Sequence, residues 1–418
     1  MFNLQLTWDR PAKISSQVSE HILRVRLEPS GARFRAADLP KGESHLPLEL
    51  AVAIDTSASM QGEKWERAKA ACLALVAQLR PGDRISLAGY ADWVTPLTHN
   101  LQNAQSGDLP GILNALVAEG VTRTDLALKW IGSTLSPEPG RARVGILITD
   151  GHPTTEQGDV LDDTGSLIAQ AEAIASDGFS LCAVGLGNAE DFNSALLVSL
   201  SDRGRGAFIY ADNPTLLATQ LQERLQKVQA IAVADVTLKI DLAGGVRLKN
   251  CCQFRPDYLP LLETNPQEIH LRNLRSDIAT DVLLALEVPG LNANQLAGSY
   301  AIAQVQLQTL EFAPVATLAA LQFTPSYREA QQINPEIDRD RLCWDINRYS
   351  TALTSINDPM LTGELLSQIH AAAVKSGQIT IANEASQQLD ILHQTGQLSA
   401  HQTTGLLRAT RQLGGGFI

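Results

Sequence analysis

Asp55, Ser57 and Ser59 put one carboxylate and two hydroxyls within five residues, directly behind the apolar run Leu48 to Ile54 and ahead of a helix-like segment. Oxygen donors at the end of a buried strand can hold a hard cation. The same residues can also cap the free backbone N–H groups of an ordinary strand-to-helix turn. Two other places offer the same chemistry. Asp150 follows the run Val144 to Thr149 and precedes Gly151, and Thr124 stands in the loop Thr122 to Leu126 before another helical pattern. Taken singly, Asp150-Gly151 is a common turn pair and Thr124 an ordinary helix cap. Taken together, Asp55, Ser57, Ser59, Thr124 and Asp150 fall on loops at one expected sheet edge, and all are oxygen donors. In open parallel sheets, ligands collect outside the carboxyl ends of the strands, which is where these loops lie.

The elements that must position these residues show as alternation. From about residue 46 to 228, short apolar runs alternate with amphipathic segments, which predicts an α/β domain with a doubly wound parallel sheet. The expected strands are Leu48 to Asp55, Arg84 to Tyr90, Val144 to Asp150, Leu181 to Gly187 and Ala207 to Tyr210. Trp65, Ala68, Cys72, Leu75, Val76 and Leu79 follow helical spacing, as do Leu167, Ala171, Ile174 and Ala175, and should face the sheet. Beyond residue 230 the period changes to two, which predicts an antiparallel β-sandwich over residues 229–325. Phe2 to Thr7 and Ile22 to Leu27, within residues 1–45, would join it. Residues 326–413 read as a C-terminal helical domain, with Leu342, Ile346 and Tyr349 on one stripe, and residues 414–418 as a flexible glycine-rich tail.

Asp55-x-Ser57-x-Ser59, a separate Thr124 and Thr149-Asp150-Gly151 resemble the metal-ion-dependent adhesion site of von Willebrand factor type A domains. Leu48 to Asp55 and Leu79-Arg-Pro-Gly-Asp-Arg-Ile-Ser-Leu87 resemble bacterial members of that family. The resemblance covers about residues 46 to 225 and implies a Rossmann-like fold. It also implies that Ser57, Ser59 and Thr124 ligate the ion through neutral hydroxyls, while Asp55 and Asp150 act largely through water or hydrogen bonds. Mg²⁺ is the implied ion, with Mn²⁺ or Ca²⁺ as alternatives. An ion so held stays electron-poor and takes an Asp or Glu from a protein partner. Some bacterial relatives of this type pair with AAA+ ATPases, which makes such an ATPase the expected larger partner.

Other classes are weighed against this one. A phosphatase using Asp55 as nucleophile, of the haloacid-dehalogenase type, needs a second acid two residues on, and Ser57 stands there. Nucleotide binding at Gly185-Leu-Gly187 needs a third glycine where Glu190 stands. A metal-independent scaffold remains the structural alternative. Net charge of −12 and pI near 5.2 disfavour nucleic acid and anionic membranes. The five cysteines lack metal or redox spacing, and no run could span a bilayer, so a soluble, cytoplasmic, non-enzymatic interaction module is expected. Cys251 and Cys252, adjacent in a β run, should point to opposite faces. Trp93, near the same sheet edge, could rim the site or pack in the core, and core packing is the expectation.

Overall fold

In the computed structural model, residues 2–30, 46–102, 107–136, 140–261, 267–291, 296–310, 312–356 and 358–414 are described. The chain divides into two units. One gathers Asp38–Ile231 with Ser399–Arg408, the other Met1–Ala37, Ala232–Leu398 and Ala409–Ile418. The tail expected to be flexible lies, from Gly415 onward, outside the described residues.

The second of these units begins with β1 (Phe2–Trp8), β2 (Ala12–Ile14) and β3 (Ser19–Pro29). The chain then builds the α/β unit. Its elements in order are β4 (Leu48–Asp55), α1 (Glu63–Ala77), β5 (Arg84–Tyr90), β6 (Val94–Leu101), α2 (Leu109–Asn114), α3 (Thr124–Thr134), β7 (Ala142–Thr149), α4 (Gly165–Ser176), β8 (Ser180–Leu186), α5 (Ser194–Arg203), β9 (Arg205–Ala211) and α6 (Leu217–Gln229). The strands form one six-stranded sheet in the order β6-β5-β4-β7-β8-β9. Every pairing is parallel except that of β5 with β6. All residues of β4, β7 and β8 are buried, which is why those strands read as unbroken apolar runs. The edge strand β6 is half exposed and carries Pro96, His99 and Asn100, a composition that does not announce a strand. The sheet is therefore mixed rather than wholly parallel.

Helices cover both faces. Ala51 and Ala53 of β4 share a core with α3, α4 and α5 through Leu128, Ile131, Leu167, Ile174 and Leu197. Leu50, Val52 and Ile54 alternate to the other face, and α1 and α6 pack together with their buried stripes Ala68, Cys72, Leu75 and Leu221, Leu225, Val228. The chain leaves β4 through α1 toward β5 on one side and, after β6, crosses back through α3 to β7 on the other side of β4. The carboxyl ends of β4 and β7 thus flank the topological switch point, the crevice where such sheets place ligands. At the other end of β4 the strand is pinned by Asp83, whose buried carboxylate accepts from the backbone N–H of Leu48 (2.8 Å), that of Arg80 (3.0 Å) and the Gln229 amide (3.1 Å).

In the second unit, β10 (Ile231–Leu242), β11 (Arg247–Arg255), β12 (Leu259–Pro260), β13 (Glu268–Arg275), β14 (Thr280–Val288), β15 (Gly298–Gln308) and β16 (Val315–Thr324) join the N-terminal strands. They make two five-stranded sheets, ordered β1-β3-β14-β11-β12 and β13-β10-β15-β16-β2. A single apolar core draws on both, through Leu23, Val25, Leu284 and Leu286 on one side and Leu238, Ile240, Val305 and Leu321 on the other. Then come α7 (Tyr327–Ala330), α8 (Pro335–Leu353), α9 (Pro359–Ser376), α10 (Ile379–Thr395) and α11 (Ala400–Arg411). Cys251 faces the core between the sheets, and Cys252 joins Trp344 and Ile337 of α8 on the opposite face. All five cysteines are buried free thiols. Asp281, wholly buried, is held by Arg26 (2.7 Å) and Arg255 (2.8 Å).

Asp83→Ala strips acceptors from two backbone N–H groups and should destabilise the α/β unit by about 2–4 kcal/mol in urea denaturation. Asp83→Asn, which keeps one acceptor oxygen, should cost less.

Candidate functional site

β4 ends on Asp55, which is fully buried, and both of its oxygens are engaged. Oδ1 accepts from the backbone N–H of Ser57 at 2.8 Å and Oδ2 from the Thr149 hydroxyl at 2.6 Å. The chain then turns through Ala58 to Met60, and Ser57 makes no side-chain cap to that turn. Its hydroxyl instead meets that of Ser59 at 3.0 Å, and Ser59 donates to Asp150 Oδ1 at 2.7 Å. Thr124 is likewise not a helix cap but the first residue of α3, with its N–H on the Thr122 carbonyl at 3.0 Å. Its side chain lies beside the Tyr90 hydroxyl, as do Thr149 and the charges of Asp55 and Asp150. All five expected residues thus gather around the carboxyl ends of β4, β5 and β7. Asp55, Ser57, Thr124 and Asp150 are buried, and Ser59 is exposed.

The loops carrying them are tied to one another. Thr56 donates from its N–H to the Tyr90 carbonyl (2.8 Å), Glu119 N–H donates to the Thr56 carbonyl (2.7 Å), and Ala58 N–H donates to the Gly120 carbonyl (3.2 Å). Gly120 has φ of +88°, and a Cβ there would fall 2.0 Å from Asp92 Oδ2, so the turn requires glycine. Thr122 and Thr154 exchange two further bonds across the neighbouring loop, at 2.9 Å each. Arg123 and Asp125 close on each other in a bidentate pair at 2.8 Å, which occupies the guanidinium beside Thr124.

Two participants escaped the sequence reading. Lys64 donates to Asp150 Oδ2 at 2.6 Å and lies 3.8 Å from Asp191. One signal for it was available: a lysine in the first turn of α1 opposes the helix dipole and calls for a local anion. The other is Tyr90, whose fully buried hydroxyl faces the Thr124 and Thr149 side chains and whose ionisation is pushed well above its usual range by burial and then by the charge of Asp55. Trp93, expected in the core, is 70% exposed, because it stands in the turn between β5 and β6 beyond the sheet.

Electrostatically, Asp55 is the strained member. Burial raises its pKa from 3.8 to about 6, the bonds from Ser57 and Thr149 lower it, and the charge of Asp150 raises it. Among the described residues no group of three or more His, Cys, Asp or Glu side chains could hold a metal ion. A cation here would depend on hydroxyls together with two carboxylates. That donor set fits a hard divalent ion: every group is an oxygen, and Asp55 carries buried charge met only by hydroxyl and N–H donors.

A Rossmann-like sheet with polar loops at its switch point defines the class of the α/β unit. Residues 49–224 match the family model of the von Willebrand factor type A domain, and this part of the chain is such a domain. Across 305 residues the chain is 27% identical to an uncharacterised protein of Synechocystis sp., covering 71% of this chain and 70% of that one. It is 26% identical over 222 residues to an inter-alpha-trypsin inhibitor heavy chain of Homo sapiens, half of this chain but only 16% of that protein. A solved structure described as von Willebrand factor type A from Catenulispora acidiphila superposes with a TM-score of 0.75, covering 98% of this chain and 96% of that one at 16% identity, a likeness of fold. No described helix is long and apolar enough to cross a membrane.

Because its folded pKa is raised, Asp55 contributes stability that is complete below its unfolded pKa and lost as pH rises through about 6. In chelator, the α/β unit should lose up to roughly 3 kcal/mol between pH 4 and 7, and Asp55→Asn should abolish that slope and raise the unfolding midpoint at pH 7. A wild-type curve that is flat across this window would contradict a buried charge at Asp55.

Proposed function

We propose that this protein is a non-enzymatic protein-interaction module whose von Willebrand factor type A domain holds a divalent cation on Asp55, Ser57, Ser59, Thr124 and Asp150, and takes a partner's Asp or Glu through it. The observation that carries this reading is the unbroken line of oxygens across the switch point, from Ser57 to Ser59 at 3.0 Å and on to Asp150 at 2.7 Å. Domains of this class commonly mediate protein–protein contacts, and Mg²⁺ suits the oxygen donors, with Mn²⁺ or Ca²⁺ as substitutes.

The ion would supply Lewis acidity toward an anionic oxygen. The residues decide how much of it survives. Ser57, Ser59 and Thr124 offer neutral donors that leave the positive charge largely unquenched. Asp55 orients Ser57 through the backbone N–H, and Thr149 holds Asp55 in place. The exposed Ser59 marks the side from which a partner's carboxylate can approach. On this reading the protein works as an adaptor or assembly factor in the cytoplasm, an AAA+ ATPase being one fitting partner system. The five buried free thiols favour a reducing compartment. The phosphatase alternative lacks its acid, since Ser57 stands where a second carboxylate would act. The metal-independent scaffold differs in one respect, that it needs no cation.

Calorimetric titration of the full chain with Mn²⁺ or Mg²⁺ should show one binding event, weakened at least tenfold by Asp55→Ala and by Ser59→Ala. Recovery of a binding partner should in turn be abolished by chelator. Absence of cation binding would leave the scaffold, and Asp55-dependent hydrolysis of a phosphate ester would establish an enzyme instead.

A further inference from the structure

The contact between Lys64 and Asp150 is not explained by holding an ion. Of the two carboxylates at the switch point, Asp55 is satisfied by neutral donors, while Asp150 receives a hydroxyl on one oxygen and a full ammonium charge on the other, at 2.7 and 2.6 Å. Asp150 is fully buried and Lys64 about one quarter exposed, so the ammonium reaches inward from the rim. A second carboxylate, Asp191, lies 3.8 Å from the same ammonium and is about half exposed. The lysine stem also has room. Gly187 has φ of +92°, and a Cβ there would come within 3.1 Å of Lys64 Cε, so glycine at this loop keeps the path of the side chain open.

Resting on the cation-site reading above, we infer that Lys64 is an internal stand-in for the divalent ion: it neutralises Asp150 when no ion is bound and transfers to Asp191 when one is. A divalent cation and an ammonium sharing one carboxylate repel each other over a few ångströms, so both cannot stay. Asp191 gives the displaced ammonium a nearby anion at the surface, where solvent lowers the cost of the move. The exchange sets the affinity of the site: the ion has to displace a charge already in place, and the ion-free protein avoids an uncompensated buried carboxylate at Asp150.

The sign of one substitution separates this role from simple positioning. Lys64→Met should lower unfolding stability in chelator and yet tighten Mn²⁺ binding at least about tenfold in calorimetry, because the competing charge is gone. Lys64→Gln carries the same expectation should the methionine variant not fold, and Lys64→Arg should bind Mn²⁺ like the wild type. Asp191→Asn should weaken Mn²⁺ binding about threefold with unchanged stability in chelator. If Lys64→Met or Lys64→Gln binds Mn²⁺ no more tightly than wild type, Lys64 merely orients Asp150 and the inference falls while the cation site stands. If the wild type binds no Mn²⁺ at all, the site reading falls and this inference with it.

Discussion

Two carboxylates, Asp55 and Asp150, are fully buried at the carboxyl ends of adjacent parallel strands. Moving a carboxylate out of water costs several kcal/mol unless hydrogen bonds or opposite charge compensate. Much of the local structure follows from that cost. Thr149 and the Ser57 N–H attend to Asp55, and Ser59 and Lys64 attend to Asp150. The turn Ala58 to Met60 is bent so that two serines face the acids rather than cap the helix behind them. The parallel sheet makes the arrangement durable, because β4 and β7 are buried along their full lengths and cannot slide without exposing apolar surface.

A second pair of buried acids in the same chain shows how differently a purely structural charge is treated. Asp281 meets Arg26 and Arg255, and Asp340 meets Arg255 at 2.6 Å. Burial would raise the pKa of Asp281, yet the guanidinium bonds hold it below its usual range. At Asp55 the same burial wins, since only hydroxyls and an amide oppose it, and the pKa rises to about 6. The two sites bury carboxylates to a similar degree and differ in the counter-charge provided. On the proposed reading, an acid left to neutral donors rather than neutralised by arginine is the one to which a cation from outside can come.

Local spacing made the core of this site legible. Asp55, Ser57 and Ser59 lie within one turn, and Thr124 and Asp150 stand at element ends that apolar periodicity locates. The capping alternative turns on where each side chain points: Asp55 does accept a turn N–H, that of Ser57, whereas the Ser57 and Ser59 hydroxyls meet each other and Ser59 donates to Asp150. Lys64 and Tyr90 were hidden for another reason. Their significance lies in contacts with residues far along the chain, and neither helical nor strand periodicity encodes such pairs. β6 and β16 went unread because half-exposed strands of mixed polarity dilute the alternation that betrays a strand. Ser399–Arg408 was read as part of a closing helical domain, whereas it packs in the α/β unit, where Thr404 donates to Ser194 at 2.8 Å and His401 meets Tyr210 at 3.0 Å.

Charge pairing also distinguishes the switch point from the polar cavity of about 300 Å³ in the other unit, lined by Asp9, Arg10, Glu20, Ile22, Ile333, Asp338 and Arg341. That cavity is richer in charge, yet Arg10 is bonded to Asp9 at 3.2 Å and Arg341 to Asp338 at 2.8 Å, so opposite charges answer one another within its wall. At the switch point the balance is less complete: Asp55 is met by hydroxyl and N–H donors rather than by an opposite charge, and the Lys64 ammonium sits between two acids. Incomplete compensation on a rigid frame is what a ligand site requires, because the missing charge can then be supplied reversibly from solution. The number of ionisable groups lining a cavity is a weaker guide than whether their charges are already spent on one another.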